Sequence, residues 1–170
     1  MIRDGNRGDL DAILDIYNDA ILHTTAIYTY KPYTFEDIQS WYEGKVSNGY
    51  PVIVFEENGS VIGFASYGQF RTRPAYKYTI ENSVYVHKDH RGKHVGTKLM
   101  TELIKTANET HYATMIAAID TSNEQSVHMH EKLGFSVCGT LKKVGYKFGK
   151  WLDVTYMQYG LTGPDAPEES

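Results

Sequence analysis

YVHKDHRGKHVGTKLM, Tyr85 to Met100, is the stretch whose reading decides the fold of this chain. It opens as a β-rich run and passes through a basic turn that contains glycine. From Val95 onward its apolar residues take helical spacing, with Val95, Leu99, Leu103 and Ile104 on one face. A helix N-terminus leaves backbone N–H groups unpaired and carries partial positive charge, so a strand, a small-residue turn and a helix together offer a seat for phosphate. Arg91, Gly92, Lys93, His94, Val95 and Gly96 would present that seat, the glycines allowing close approach and Arg91 and Lys93 adding charge. The turn matches neither GxxxxGK[ST] nor GxGxxG. Spacing alone fits a phosphate seat or an ordinary basic loop that caps a helix.

Upstream, the segment TIENSVYVH alternates Thr79, Glu81, Ser83 and Tyr85 on one face with Ile80, Asn82, Val84 and Val86 on the other. Before it, PVIVFEENGSVIGFASYG reads as a hairpin around Asn58-Gly59, a pair that tolerates the positive φ of a type I′ turn. Near the start, Leu10, Ile13, Leu14, Tyr17 and Ile21 predict an amphipathic helix after a short strand, with Asp9 as candidate cap. A second helix, FEDIQSWYEGKV, is announced by a loose capping box of Thr34 and Asp37 and should end near Gly49. Downstream, ATMIAAID, SNEQSVHMHEKLGF and SVCGTLKKVGYKFG repeat strand, helix and strand, and KWLDVTYMQYGL closes the series. The order predicts an α/β (mixed α+β) fold: one domain with a central mixed, mostly antiparallel sheet flanked by helices. Residues 1–161 would form it, and TGPDAPEES, residues 162–170, is expected to be a disordered tail.

Composition limits the function. A chain of 170 residues, 41% hydrophobic and 22% charged, suits one soluble globular domain. A net charge of −4 argues against bulk binding to nucleic acid or to an anionic membrane. The lone cysteine, Cys138, excludes an internal disulfide, and no leader or long apolar run is evident, so a cytoplasmic protein is expected. Fourteen tyrosines could line a pocket or simply fill the core. The histidines at 87, 90, 94, 128 and 130 invite a metal reading, yet the first three cross a strand-turn-helix boundary and 128 and 130 do not share a helical face. No metal is expected.

DHRGKHVGTKLM resembles the acetyl-CoA signature [Q/R]xxGx[G/A] of the GCN5-related N-acetyltransferase superfamily. Arg91 and Gly96 match, and His94 replaces the usual middle glycine; its amide could still donate if its backbone angles are ordinary. TIENSVYVH, NEQSVHMHEKLGF, VGYKFGKWLDVTYMQ, IYNDAILHT and GYPVIVFEENG extend the similarity, up to about Leu161, to the phosphinothricin and methionine sulfoximine acetyltransferase branch. Trp151 and Asp153 match that branch closely and read first as structural.

That resemblance implies acetyl-CoA as co-substrate, held by the turn residues Arg91 to Gly96 and by Thr97. It also implies that the backbone amides of Val84, Tyr85 and Val86 face the pantetheine arm, with Asn123 and Lys132 as further contacts. Transfer to an amine needs a neutral nitrogen, a stabilised oxyanion and a proton for the departing thiolate. Glu81 is the candidate base and substrate contact, because a carboxylate in a largely apolar strand is costly unless it faces a cleft; a solvent-facing edge is the other reading. His130, where many relatives carry tyrosine, could protonate the sulfur or relay a proton, or could simply cap or pack. In QFRTRPAY, Arg71 and Arg73 suit carboxylate or phosphinate oxygens, with Pro74, Ala75 and Tyr76 beside them and Tyr28 as a further wall.

The expected activity is direct transfer of acetyl to the α-amine of phosphinothricin, methionine sulfoximine or methionine sulfone, by a homodimer. A polyamine, an aminoglycoside or a protein N-terminus is the alternative acceptor, and a non-catalytic acyl-CoA-binding module the alternative class.

Overall fold

The computed structural model describes residues 1–169. Its elements follow in the order β1 (Ile2–Asp4), α1 (Leu10–His23), α2 (Phe35–Ser47), β2 (Val52–Glu57), β3 (Ser60–Gln69), β4 (Thr79–Val86), α3 (Val95–Glu109), β5 (Thr114–Asp120), α4 (Glu124–Lys132), β6 (Ser136–Lys147) and β7 (Lys150–Gly160). The strands hydrogen-bond in the order β1-β2-β3-β4-β5-β7-β6. β4 and β5 run parallel, whereas β1-β2, β2-β3, β5-β7 and β6-β7 are antiparallel. This is the mixed, mostly antiparallel sheet with helices that the alternating pattern predicts.

The chain divides into two compact units, the first made of Met1–Ser66 with Ser83–Leu103, the second of Tyr67–Asn82 with the residues from Ile104 onward. In the first, the Asn58-Gly59 turn takes φ 51° and 77°, so the hairpin of β2 and β3 forms as its chemistry predicts. Helix α1 buries Leu10, Ile13 and Ile16 against Ile38 of α2 and Val52, Val54 and Phe64 of the hairpin. Each such side chain contributes roughly 1.5–3 kcal/mol by leaving water. Thr34 accepts from the backbone N–H of Asp37, whose carboxylate accepts from the N–H of Thr34, so the predicted box starts α2. Asp9 does not cap α1. Its carboxylate turns back to accept from the Asn6 N–H and from Nη1 and Nη2 of Arg3, each at 2.8 Å, and these stronger charge-assisted bonds outcompete a cap.

Helix α3 lies close over β3 at Gly63. A Cβ placed there would stand 3.1 Å from both Val95 Cγ1 and Leu99 Cδ1 and 3.2 Å from the Tyr85 carbonyl oxygen.

In the second unit, β5 and β7 pair from Thr114↔Gly160 to Asp120↔Val154, with Met115, Ala117 and Met157 buried. Irregularities in the β6-β7 register fall between Val137 and Gly139 and between Leu141 and Gly145. β6 ends the strand order and is exposed continuously from Ser136 to Val144. Past β7, the N–H groups of Leu161 and Gly163 donate to the carbonyls of Ala113 and Tyr112, and the Glu168 N–H donates to the Tyr78 hydroxyl at 3.0 Å. Among the described residues no helix is long and apolar enough to cross a membrane.

Candidate active site

The turn that opened the sequence is built in the first unit. β4 ends at Val86, a short 3₁₀ turn spans Lys88–His90, and the carbonyl of His94 accepts the first α3 bond, from the Lys98 N–H. The amides of Val95, Gly96 and Thr97 are therefore first-turn amides with no carbonyl a turn below them. Gly92 has φ 76° and His94 φ 60°, so left-handed residues punctuate the turn, a kind of backbone that commonly turns successive N–H groups toward an anion. The condition of ordinary backbone angles at His94 is not met. Glycine would meet this conformation without cost, and histidine is among the few other residues that adopt it at all readily. The donor set fits the pyrophosphate of an acyl-CoA.

Arg91 is less free than its sequence position suggests. Its Nε donates to the Val86 carbonyl at 3.3 Å and its Nη2 pairs with Asp19 of α1 at 3.2 Å. Sequence reading missed Asp19, which lies 72 residues away and carries no local mark. Lys93 and His94 are exposed. Val84, Tyr85 and Val86 are half-buried, and the Tyr85 ring packs edge-on to Tyr17 at 5.5 Å and against Phe64 at 5.4 Å. Burial, followed by the neighbouring Tyr85 and Tyr33, holds the Tyr17 phenol well above its usual range.

In the second unit, Glu81 is half-buried on β4 and stands opposite Ile116 of β5 in the parallel register. It is not the solvent-facing edge residue that the sequence left open. On the other face, Asn82 meets His130 of α4, Oδ1 to Nε2 at 3.4 Å. His130 is 1% exposed, its Nδ1 lies 2.8 Å from the Ser126 carbonyl oxygen, and Phe135 stands edge-on to its ring at 4.9 Å. Burial lowers its pKa, partly opposed by the Ser126 bond. Asn123 uses its Oδ1 to cap α4 through the Ser126 N–H. Lys132, at the far end of α4, is exposed.

The loop before β4 is ordered by stacking. The Arg71 guanidinium lies 4.2 Å from the Phe70 ring centroid and donates to the Phe70 carbonyl, while Tyr76 packs edge-on to Phe70 at 5.8 Å. Arg73 occupies the position before the short 3₁₀ turn Pro74–Tyr76 without a side-chain capping bond, and Arg71, Arg73, Pro74, Ala75 and Tyr76 are all exposed. Cys138 is exposed too, its thiol donating to Gln158. Among the described residues no three His, Cys, Asp or Glu side chains are grouped to hold a metal ion.

Comparison with known proteins gives the family of the chain. The model of the acetyltransferase (GNAT) family matches residues 10–135. The chain belongs to the GNAT family, and it is an N-acetyltransferase. A Salmonella typhimurium GNAT relative, L-methionine sulfoximine/L-methionine sulfone acetyltransferase, is 44% identical over 98% of both chains. The phosphinothricin N-acetyltransferase of Streptomyces viridochromogenes is 34% identical over 98% of this chain and 90% of its own. Among solved structures, the yncA acetyltransferase of Salmonella typhimurium, determined with its cofactor acetyl-CoA, superposes with a TM-score of 0.96 at 43% identity, covering 99% of this chain and 97% of that one.

Proposed function

We propose that this acetyltransferase moves the acetyl group of acetyl-CoA directly to the α-amine of a small amino-acid-like substrate: methionine sulfoximine, methionine sulfone or phosphinothricin. The observation that carries this reading is the α3 turn, whose left-handed Gly92 and His94 and first-turn amides suit a pyrophosphate. The identities of 44% and 34% to enzymes named for these substrates support the acceptor class.

The overall chemistry is simple to balance. A bond forms from nitrogen to the acetyl carbon, the carbon–sulfur bond breaks, the nitrogen loses a proton and the thiolate gains one. Glu81, half-buried on β4, accepts the proton of the amine, directly or through water. The amides of Val84, Tyr85 and Val86 face the donor and polarise its carbonyl. Arg91 to Thr97 hold the phosphates, with Asn123 and Lys132 as further contacts. His130 serves the departing sulfur. Arg71, laid on Phe70, and Arg73, with Pro74, Ala75 and Tyr76, take the acidic end of the acceptor.

The domain spans residues 1–161, followed by a tail of 162–170, and works in the cytoplasm without nucleic acid or membrane partners. It pairs as a homodimer. Support comes from β6, a long edge strand, and the β6-β7 hairpin, where Val137, Leu141, Val144, Tyr146, Phe148 and Trp151 are all exposed; exposed apolar edge strands of this kind invite association. Light scattering at micromolar concentration gives the mass.

The decisive test is acetyl-CoA-dependent release of free thiol against methionine sulfoximine, methionine sulfone, phosphinothricin, spermidine, an aminoglycoside and an alanine-terminated peptide, with Glu81→Gln beside the wild type. Saturable turnover on the first three, reduced by about 10²–10⁴ in the variant, is expected. Turnover confined to the cationic acceptors or the peptide would overturn the acceptor class. Binding of acetyl-CoA without turnover on any would overturn the reaction.

A further inference from the structure

The His130–Asn82 contact is chemically incomplete as it stands. A carbonyl oxygen only accepts, so the 2.8 Å contact with Ser126 requires a hydrogen on His130 Nδ1. A neutral ring protonated there has a bare lone pair at Nε2, and that lone pair points at another acceptor, Asn82 Oδ1, 3.4 Å away. Meanwhile Asn82 Nδ2 is buried with no hydrogen-bond partner. Two acceptors in contact beside a buried donor without a partner is a poor arrangement, since an orphaned N–H costs more than an under-used carbonyl. Turning the amide about its last bond exchanges oxygen for nitrogen with almost no change of shape, and the surrounding donors and acceptors decide which end faces the ring.

We propose that Asn82 is a positioning residue for His130: its Nδ2–H donates to His130 Nε2 while the Ser126 carbonyl accepts from Nδ1–H, holding the imidazole as the Nδ1–H tautomer. In that state Nε2 can take a proton and has none to give. A proton delivered to sulfur from Nε2 must first be taken up there from solvent; the Asn82 amide turns so that Oδ1 accepts from Nε2–H, and that bond must break as the proton leaves for the sulfur. One amide thus serves both charge states. Aspartate would serve only the cation and leucine neither.

The surroundings favour the neutral state. Around the ring stand Ser126 from α4, Asn82 from β4 and Phe135 from the turn after α4, none of them a charge. Titratable groups on the elements packed here include Tyr159 of β7, on the Phe135 ring at 5.3 Å, and exposed His128 and Glu131 of α4, which stand 3.9 Å from each other. Glu81 is next to Asn82 in β4 and alternates to the opposite face.

The tautomer does not depend on the proposed transfer reaction, whereas its effect on turnover does. The test is nitrogen NMR of the full chain labelled at histidine, with the His130 signals among the seven histidines assigned by their loss in His130→Gln. Expected at neutral pH are a protonated Nδ1 and a bare Nε2 whose shift moves in Asn82→Leu, and an imidazolium that persists to higher pH in Asn82→Asp. Asn82→Ser is a milder variant should the leucine one unfold. A protonated Nε2 in the neutral wild type, or a bare Nε2 unmoved by either Asn82→Leu or Asn82→Ser, overturns the proposal. The kcat–pH profile of Asn82→Asp separates the two readings: its His130 limb should move upward by about one unit or more. If the tautomer is found and that limb stays fixed, the positioning stands and the assignment of His130 to the sulfur falls.

Discussion

Arg91 and Asp19 are 72 positions apart in sequence, yet the guanidinium of one reaches the carboxylate of the other at 3.2 Å. Arg91 also holds the Val86 carbonyl, so one side chain ties the end of β4 to α1 beside the turn proposed to seat phosphate. Asp19 steadies Arg91 and subtracts from the positive potential of that turn.

Asp19→Asn should therefore strengthen acetyl-CoA binding more than it disturbs the fold. A partly exposed pair of this kind is worth up to about 1 kcal/mol, so the midpoint of urea unfolding should shift little. The dissociation constant for acetyl-CoA, by calorimetry, should fall by roughly two- to fivefold at low salt and by less at high salt. Weaker binding would show that Asp19 matters as a clamp and not as an opposing charge.

His94→Gly should stabilise the protein. At φ 60° the histidine occupies a conformation that glycine reaches freely, and the change should yield about 0.5–1 kcal/mol, or roughly 1–4 °C in Tm. Scanning calorimetry reads this directly. His94→Val, β-branched and poorly tolerated there, should move Tm the other way.

The Arg3–Asp9 pair should show itself in acid. The Arg3 hydrogen bonds, against an opposing effect of burial, lower the Asp9 pKa in the folded protein. The pair's contribution is thus complete above the unfolded value of about 3.9 and is lost as pH falls through the lower folded value. Asp9→Asn should cost about 1–3 kcal/mol at pH 7, and the gap to wild type should close at the acid end of a pH series of urea melts.

His130 adds a second pH dependence at milder acidity. Its folded pKa lies below the unfolded value of about 6.5, so the unfolded chain binds more protons once pH drops under that value and stability falls. His130→Asn should flatten the stability profile between about pH 6.5 and the onset of carboxylate titration, even if it lowers stability overall.

Local chemistry made much of the fold legible in the sequence. Asn58-Gly59 fixes a turn within two residues, Thr34 and Asp37 fix a helix start within four, and Val95, Leu99 and Leu103 mark the buried face of α3. The contacts that complete the site were not legible. Asn82 meets His130 across 48 residues and Arg91 meets Asp19 across 72, and only the folded topology brings either pair together. Asp9 misled for a related reason: a cap is a local preference, and a forked bond from Arg3 outweighs it. His94 misled because a one-letter code does not carry φ.

Gly63 sits under both the seat and the strand that leads to it. The hydrogen where other residues carry a Cβ leaves room for Val95, Leu99 and the Tyr85 carbonyl to converge on one point of β3. The height of the helix that would grip the donor is therefore set by a methyl group that is missing from a different strand. A single added carbon there would have to lift the first turn of α3 or push β4 aside, altering the grip while leaving every gripping residue in place.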